Sequence, residues 1–293
     1  MAAFGAEIES EITRGIGPWI SETSYSTPLY KVPVHQRKVS VVLDTGSWGA
    51  PLRRALRAGV PIPNSARPAA GTDGHLTIWQ PSTDRLWEFW KAVKEPDGWH
   101  AAWGGAMEGV SRNPGYYTAT SWTGLSASDG WNWGSTATSL PVIAGTVMID
   151  ELRRGHIDHA LALAIPDACA TSFSWPAQRS DGSDTRRECL PEGAHLRLDP
   201  NLDLTTLSLP PITRMLADAA QRYGMIVRDR TSHAVGFYAE DPTPTGTDPY
   251  SGPDGLYGGL RPWKFLPQFP WDRLQLLKMR LCRHFPCRPA PAR

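Results

Sequence analysis

Histidine and carboxylate side chains are the groups of this chain best suited to proton transfer. His156 and Asp158 are separated by one residue, so in a strand they project from the same face, whereas His159 projects from the other. His75 and Glu88 belong to earlier segments that can face this pair. A histidine beside a carboxylate is the usual proton-transfer unit, and two carboxylates about 5–10 Å apart can hydrolyse a glycosidic bond. If the chain is an enzyme, the candidate class is a polysaccharide hydrolase or lyase, and its candidate catalytic residues are His75, Glu88, His156 and Asp158. Structural hydrogen bonding is the alternative role for these residues.

Tryptophan is the second residue type with functional potential. The chain has 13 tryptophans, and most of them lie in the first half of the sequence. Side chains alternate along a strand, so Glu88 shares a face with Trp90, and His75 shares a face with Trp79. Sugar rings combine flat C–H faces with hydroxyl groups, and aromatic platforms beside polar side chains suit them. We predict ligand-binding roles for five tryptophans, with core packing as the alternative: Trp79, Trp90, Trp103, Trp131 and Trp133.

Residues 41–47 (VVLDTGS) match the signature of aspartic proteases, in which Asp44 would be one half of a carboxylate pair. That chemistry needs two carboxylates sharing one proton. The sequence has no second Asp-Thr-Gly or Asp-Ser-Gly, so a second copy of the chain would have to supply the partner. A turn at the end of a strand is the simpler interpretation.

Short strands are expected to carry most of these residues. Residues 75–80, 86–93 and 98–107 predict an antiparallel meander, because turn-forming residues separate them. A further strand is predicted at residues 156–165, which include the His156 and Asp158 pair.

Two helices and a hairpin complete the pattern. Residues 140–154 and 211–223 predict helices that end at glycines. Residues 225–228 and 234–239 predict two paired strands. Many short strands with two or so packed helices are typical of a mainly β fold, here a β-sandwich or jelly-roll-like domain. We expect this domain over residues 36–280, preceded by an N-terminal arm (1–35) and followed by a basic tail (281–293).

Charge and hydropathy exclude several partners. The 30 basic and 29 acidic residues give a net charge of +1, which does not favour nucleic acid. The chain lacks a run of 18 apolar residues, so no membrane partner is expected, and its acidic first residues do not resemble a signal peptide. No cofactor or metal is predicted, since Cys282, His284 and Cys287 lack a fourth ligand.

Four cysteines suggest disulfide bonds. Proximity predicts the pairs Cys169–Cys189 and Cys282–Cys287, although four cysteines allow three connectivities and reduced thiols are the alternative. Disulfides indicate an oxidising environment. A virion component released by lysis would reach such an environment without a signal peptide.

Several stretches between residues 25 and 279 resemble a protein family of actinobacteria, whose phage-borne members resemble minor tail proteins. They include GTDGHLTIWQPSTDRLWEFWKA, WHAAWGGAM, WGSTATSLPVIAG, IDELRRGHIDHALALAIP and LPPITRMLADAAQRYGMIVRD. The resemblance covers nearly the whole chain but identifies no catalytic residues.

The resemblance implies a location and a role. It implies a protein of the virion tail, made in the host cytoplasm, whose partners are other tail proteins, further copies of the chain and cell-wall polysaccharide. Together with the tryptophans, it predicts a minor tail protein that contacts polysaccharide of the host cell envelope. A secreted-type glycan-degrading enzyme and a purely structural tail component are the alternatives.

Overall fold

Frequent glycine and proline residues, 27 of each, keep the regular elements of this chain short. The computed structural model describes residues 17–126, 129–130, 132–232 and 234–284. Within them the strands are β1 (Trp19–Ser21), β2 (Leu29–Lys31), β3 (Val41–Leu43), β4 (Leu76–Gln80), β5 (Arg85–Trp90), β6 (Val93–Glu95), β7 (Gly98–Ala101), β8 (Trp103–Glu108), β9 (Leu161–Ile165), β10 (Phe173–Ser174), β11 (His195–Leu198), β12 (Met225–Arg230), β13 (Gly236–Tyr238), β14 (Leu274–Leu276) and β15 (Leu281–Cys282). The α-helices are α1 (Ala50–Leu56), α2 (Ile149–Arg154), α3 (Pro211–Arg222) and α4 (Pro262–Phe265).

A six-stranded mixed sheet forms one half of the molecule, in the order β1-β13-β9-β12-β11-β14. The pairs β1/β13 and β9/β12 are parallel, and the other neighbours are antiparallel. Helix α3 packs on this sheet through an apolar face that includes Ile212 and Leu216, which lie one turn apart and are buried. This sheet and helix enclose the larger apolar core.

A four-stranded sheet, β2-β4-β5-β8, organises the second core. Strands β4, β5 and β8 are antiparallel, with Thr77 opposite Glu88 and Trp90 opposite Trp103. Helix α1 contacts β8 and buries Leu52 and Leu56 in this core. A three-stranded sheet (β3-β7-β6) and the pair β10/β15 complete the strand pairing of the described chain.

The predicted mainly β class is confirmed, and the predicted meander exists as β4, β5 and β8. Its third segment is divided at Ala102, so β7 joins a separate sheet with β3 and β6. The parallel pairs β1/β13 and β9/β12 make the large sheet a mixed one. The described part of the predicted N-terminal arm contributes β1 and β2 to two sheets.

The structure differs from the predicted hairpin and from one predicted helix. The strands β12 and β13 do not form a hairpin, because β9 lies between them and pairs with both. The predicted helix at residues 140–154 is restricted to α2, since Gly145 has a φ of 75° and a Cβ there would lie 2.4 Å from the amide nitrogen of Ala162. Helix α3 is confirmed almost to the residue.

Among the described residues, no helix combines the length and the apolar character needed to cross a membrane.

Candidate functional site

A cleft of about 640 Å³ collects aromatic, acidic and basic side chains from both halves of the molecule. Its aromatic side chains are Trp48, Trp90 and Trp103. Its charged and titratable residues are Asp44, Asp73, His75, Arg179, Asp181, Asp229 and Arg230. Three residues predicted from the sequence to form a site, His75, Trp90 and Trp103, therefore lie together in one cleft.

The aromatic part of the cleft is held by hydrogen bonds and ring packing. Trp103 is only 5% exposed, and its Nε1 donates to the backbone oxygen of Asn132 at 2.9 Å. Trp48 packs against it in a tilted arrangement and remains 63% exposed. Trp90, opposite Trp103 in the sheet, donates from Nε1 to Asp73 Oδ1 at 3.1 Å. A fixed indole thus supports an exposed one.

Asp73 connects the aromatic residues with His75. While Oδ1 of Asp73 accepts from Trp90, its Oδ2 lies 3.9 Å from His75 Nε2. Burial lowers the pKa of His75 to about 4, even though the Asp73 charge opposes the shift. His75 is therefore neutral at physiological pH.

Three carboxylates form the opposite, acidic part of the site. One oxygen from each of Asp181, Glu192 and Asp229 lies within 4.8 Å of the others. Asp181 is exposed and Asp229 half-buried, whereas Glu192 is fully buried behind them. Burial is the main reason why the pKa of Glu192 rises to about 8 and that of Asp229 to about 7, and the neighbouring carboxylates add to both shifts.

Sequence reasoning missed this carboxylate group because its members come from separate elements. Asp181 lies in a loop, Glu192 precedes β11, and Asp229 follows a register shift in β12. The register shift, between Val227 and Asp229, leaves the extra residue Arg228, whose guanidinium is buried over the ring of Tyr238. Nothing in the local sequence indicates that bulge.

A disulfide tethers the loop that lines the cleft. Cys169 and Cys189 are bonded, which confirms the predicted pair, and the loop between them carries Arg179 and Asp181. Cys282 is also in a disulfide, while Cys287 lies outside the described residues.

Glu88 is a buried anchor for the loop that follows β8. Its carboxylate accepts from Ser135 N at 2.7 Å, Ser135 Oγ at 3.1 Å and Val142 N at 2.9 Å. Burial raises its pKa to about 7, and these hydrogen bonds oppose the shift. The side chain is 0% exposed, and a catalytic carboxyl must reach its substrate, so this environment does not favour the predicted acid/base role.

His156 and Asp158 lie on the surface instead of in the cleft. They contact each other, with His156 Nε2 and Asp158 Oδ2 3.2 Å apart, and more than half of each side chain is exposed. The predicted strand does not begin until Leu161, so the expected alternation does not apply to them. Neither residue lines the cleft or the second cavity described next.

The remaining predicted tryptophans do not lie in the cleft. Trp79 lines a second cavity of about 840 Å³ between the sheets. Trp133 is 2% exposed in the core, and Trp131 lies outside the described residues. The second cavity is lined mainly by apolar residues and has few groups that could bind sugar hydroxyls. Trp48 was missed by sequence reasoning, although an isolated tryptophan in a Gly/Ser-rich turn could have indicated it.

The Asp-Thr-Gly segment ends β3 in a turn. Asp44 Oδ1 lies 3.1 Å from His100 Nδ1, and the other ring nitrogen of His100 lies 3.1 Å from Asp97 Oδ1. Among the described contacts, Asp44 therefore faces a histidine rather than the second carboxylate that a protease would need.

The fold and cleft define a mainly β protein with mixed sheets and a charged aromatic site. Comparisons with protein-family models, curated proteins and solved structures found no match.

Proposed function

We propose that the cleft binds a carbohydrate, and that the chain acts as a minor tail protein contacting host cell-envelope polysaccharide. The observation that carries the binding proposal is Trp48, an exposed indole fixed against Trp103 at the edge of a cleft rich in charged groups. A sugar ring can stack on the indole, while carboxylates accept hydrogen bonds from its hydroxyl groups. The tail location rests on the sequence resemblance. We further propose that the sheets pack as in a β-sandwich or jelly roll.

Hydrolysis is the second candidate function, favoured by Asp229. A half-buried carboxyl with a pKa of about 7 can donate a proton near neutral pH. Its oxygen lies within 4.8 Å of an Asp181 oxygen. Retaining glycosidases use two carboxyl groups close together, about 5–5.5 Å apart, whereas inverting enzymes place them farther apart, so a close pair favours the retaining type.

Pull-down and fragment release with purified actinobacterial arabinogalactan, peptidoglycan and capsule test both functions. We expect binding without release of soluble fragments. Release that is lost in Asp229→Asn would instead establish the hydrolase. The surface variants His156→Ala and Asp158→Asn serve as controls and should bind like the wild type. Neither binding nor release would contradict the carbohydrate proposal and favour a purely structural tail component.

A further inference from the structure

We propose that Asp181, Glu192 and Asp229 bind a divalent cation of the calcium type. The three residues each place a carboxylate oxygen within 4.8 Å of the others. Three carboxylates this close repel one another unless a proton or a cation is bound between them. The proposal goes beyond carbohydrate binding and does not depend on it.

Glu192 provides an independent observation that points to a ligand. The residue is 0% exposed, and its Oε1 has no hydrogen-bond partner within the described chain. Its Oε2 accepts from the backbone nitrogen of Asp181 at 3.0 Å, which holds the carboxylate beside the group. The Ser180 hydroxyl also hydrogen-bonds the Glu192 carboxylate, in addition to its contact with the Cys169 oxygen at 3.4 Å. A buried carboxylate oxygen without a partner is costly, and a bound cation would satisfy it.

Neighbouring arginines only partly neutralise the three carboxylates. Arg230 Nε lies 3.7 Å from Asp181 Oδ1, a long contact at an exposed position. Arg179 donates instead to the backbone oxygens of Ala137 at 3.0 Å and Thr136 at 2.9 Å.

Arg228 is likewise engaged elsewhere. Its Nη1 donates to the backbone oxygens of Val142 and Ala144. Among the described residues, no ion pair joins an arginine side chain to Glu192 or Asp229, although the charges of Arg179 and Arg228 act on these carboxylates at longer range.

The type of donor atom selects the class of metal. All three ligands are carboxylates, without histidine or cysteine, which favours a hard cation over zinc or copper. Burial decreases from Glu192 through Asp229 to Asp181, so the site opens toward the cleft on one side. Calcium binds about six to eight oxygens, and water can supply the missing ones from the open side.

Calcium and terbium titrations of the full chain, after treatment with a chelator, test this site. We expect Ca²⁺ to raise the Tm and to bind with one site per chain by calorimetry. Tb³⁺ luminescence excited through tryptophan should appear, because three tryptophans line the same cleft, and Ca²⁺ should displace it.

Charge-neutralising variants test which residues bind the cation. Glu192→Gln and Asp229→Asn should each weaken Ca²⁺ binding by roughly tenfold or more. Asp181→Asn changes an exposed residue, so this variant should fold even if the variants of the buried residues do not. It should show the same loss of Ca²⁺ affinity. Asp218→Asn, on the exposed face of α3, is the matched control and should bind normally.

Two results would overturn the proposal. One is a folded wild-type chain whose Tm and calorimetric signal respond to neither Ca²⁺ nor Mg²⁺, in which case protons alone relieve the repulsion. The other is undiminished Ca²⁺ binding by Asp181→Asn. Because carbohydrate is absent from every titration, failure of the glycan-binding proposal would leave these outcomes unchanged.

Discussion

The indole of Trp48 lies against that of Trp103, with ring centroids 4.3 Å apart and ring planes inclined by 39°. Trp103 is fixed in β8 by its position in the sheet and by its hydrogen bond to Asn132, whereas Trp48 lies in the turn after β3. The pair therefore presents an exposed ring in a defined orientation. Such an arrangement favours recognition, because little side-chain freedom is lost when a ligand stacks on it.

Truncation of Trp48 should weaken glycan binding without unfolding the chain. Loss of one aromatic stacking partner is worth about 0.5–1.5 kcal/mol, so Trp48→Ala should lower the affinity for the bound polysaccharide by roughly 2- to 10-fold. Trp263→Ala is a matched control, since Trp263 is also exposed and stacked, on Trp19 with centroids 5.8 Å apart. Equal losses in the two variants, measured by calorimetry, would contradict a specific role for Trp48.

Replacement of Glu88 should affect stability first. Glu88→Ala leaves the amides of Ser135 and Val142 without their acceptor, and we expect the free energy of unfolding to fall by about 2–4 kcal/mol. Chemical denaturation measures this loss, and Glu88→Gln should lose less because it keeps an acceptor oxygen. A Glu88→Ala protein of unchanged stability that had lost glycan cleavage would restore the predicted catalytic role.

The carboxylate group should make stability fall as pH rises when no divalent cation is present. The pKa values of Glu192, about 8, and Asp229, about 7, lie above the ordinary carboxyl values of 4.5 and 3.8. The folded state therefore holds protons that the unfolded state has released. Their stabilising contribution is complete below the unfolded values and is lost as pH rises through the folded ones.

Denaturation between pH 6.5 and 8 excludes His75, whose lowered pKa of about 4 costs stability only at lower pH, but it includes Glu88, whose pKa is also raised to about 7. The contribution of the carboxylate group is therefore the difference between the wild type and variants of the group. Glu192→Gln should show a smaller fall over this window than the wild type, and Asp218→Asn should follow the wild type. Saturating Ca²⁺ should reduce the fall in the wild-type profile, because the ionised carboxylates of the group would then be bound, and should leave the contribution of Glu88. Parallel profiles for wild type and Glu192→Gln would contradict the assignment.

Removal of the Cys169–Cys189 disulfide should lower the stability of the chain and weaken Ca²⁺ binding beside the cleft. The two cysteines are 20 residues apart, and a disulfide that closes a loop of this length stabilises the folded state by about 3 kcal/mol. The double variant Cys169→Ala/Cys189→Ala should lose a stabilisation of that order and should bind Ca²⁺ more weakly, since Asp181 lies in the freed loop. Denaturation with and without reductant checks the change, with the Cys282 disulfide of the variant as an internal control. An unchanged Ca²⁺ affinity would show that the loop is ordered without its tether.

Local patterns determined the parts of this protein that depend on neighbours in sequence. Alternation predicted that His75 shares a face with Trp79, and Glu88 with Trp90; of these residues, His75 and Trp90 line the cleft. The apolar spacing and terminal glycine of α3 predicted a helix that the structure confirms. Proximity in sequence was enough to pair Cys169 with Cys189.

Tertiary structure alone decided which charged groups meet. Asp181, Glu192 and Asp229 come together through the tethered loop, the approach to β11 and the register shift in β12. The same packing buried Glu88 and left His156 and Asp158 on the surface. Alternation and spacing report only a residue's local direction, whereas the site forms where distant segments pack, and long-range packing leaves no periodic signal in the sequence.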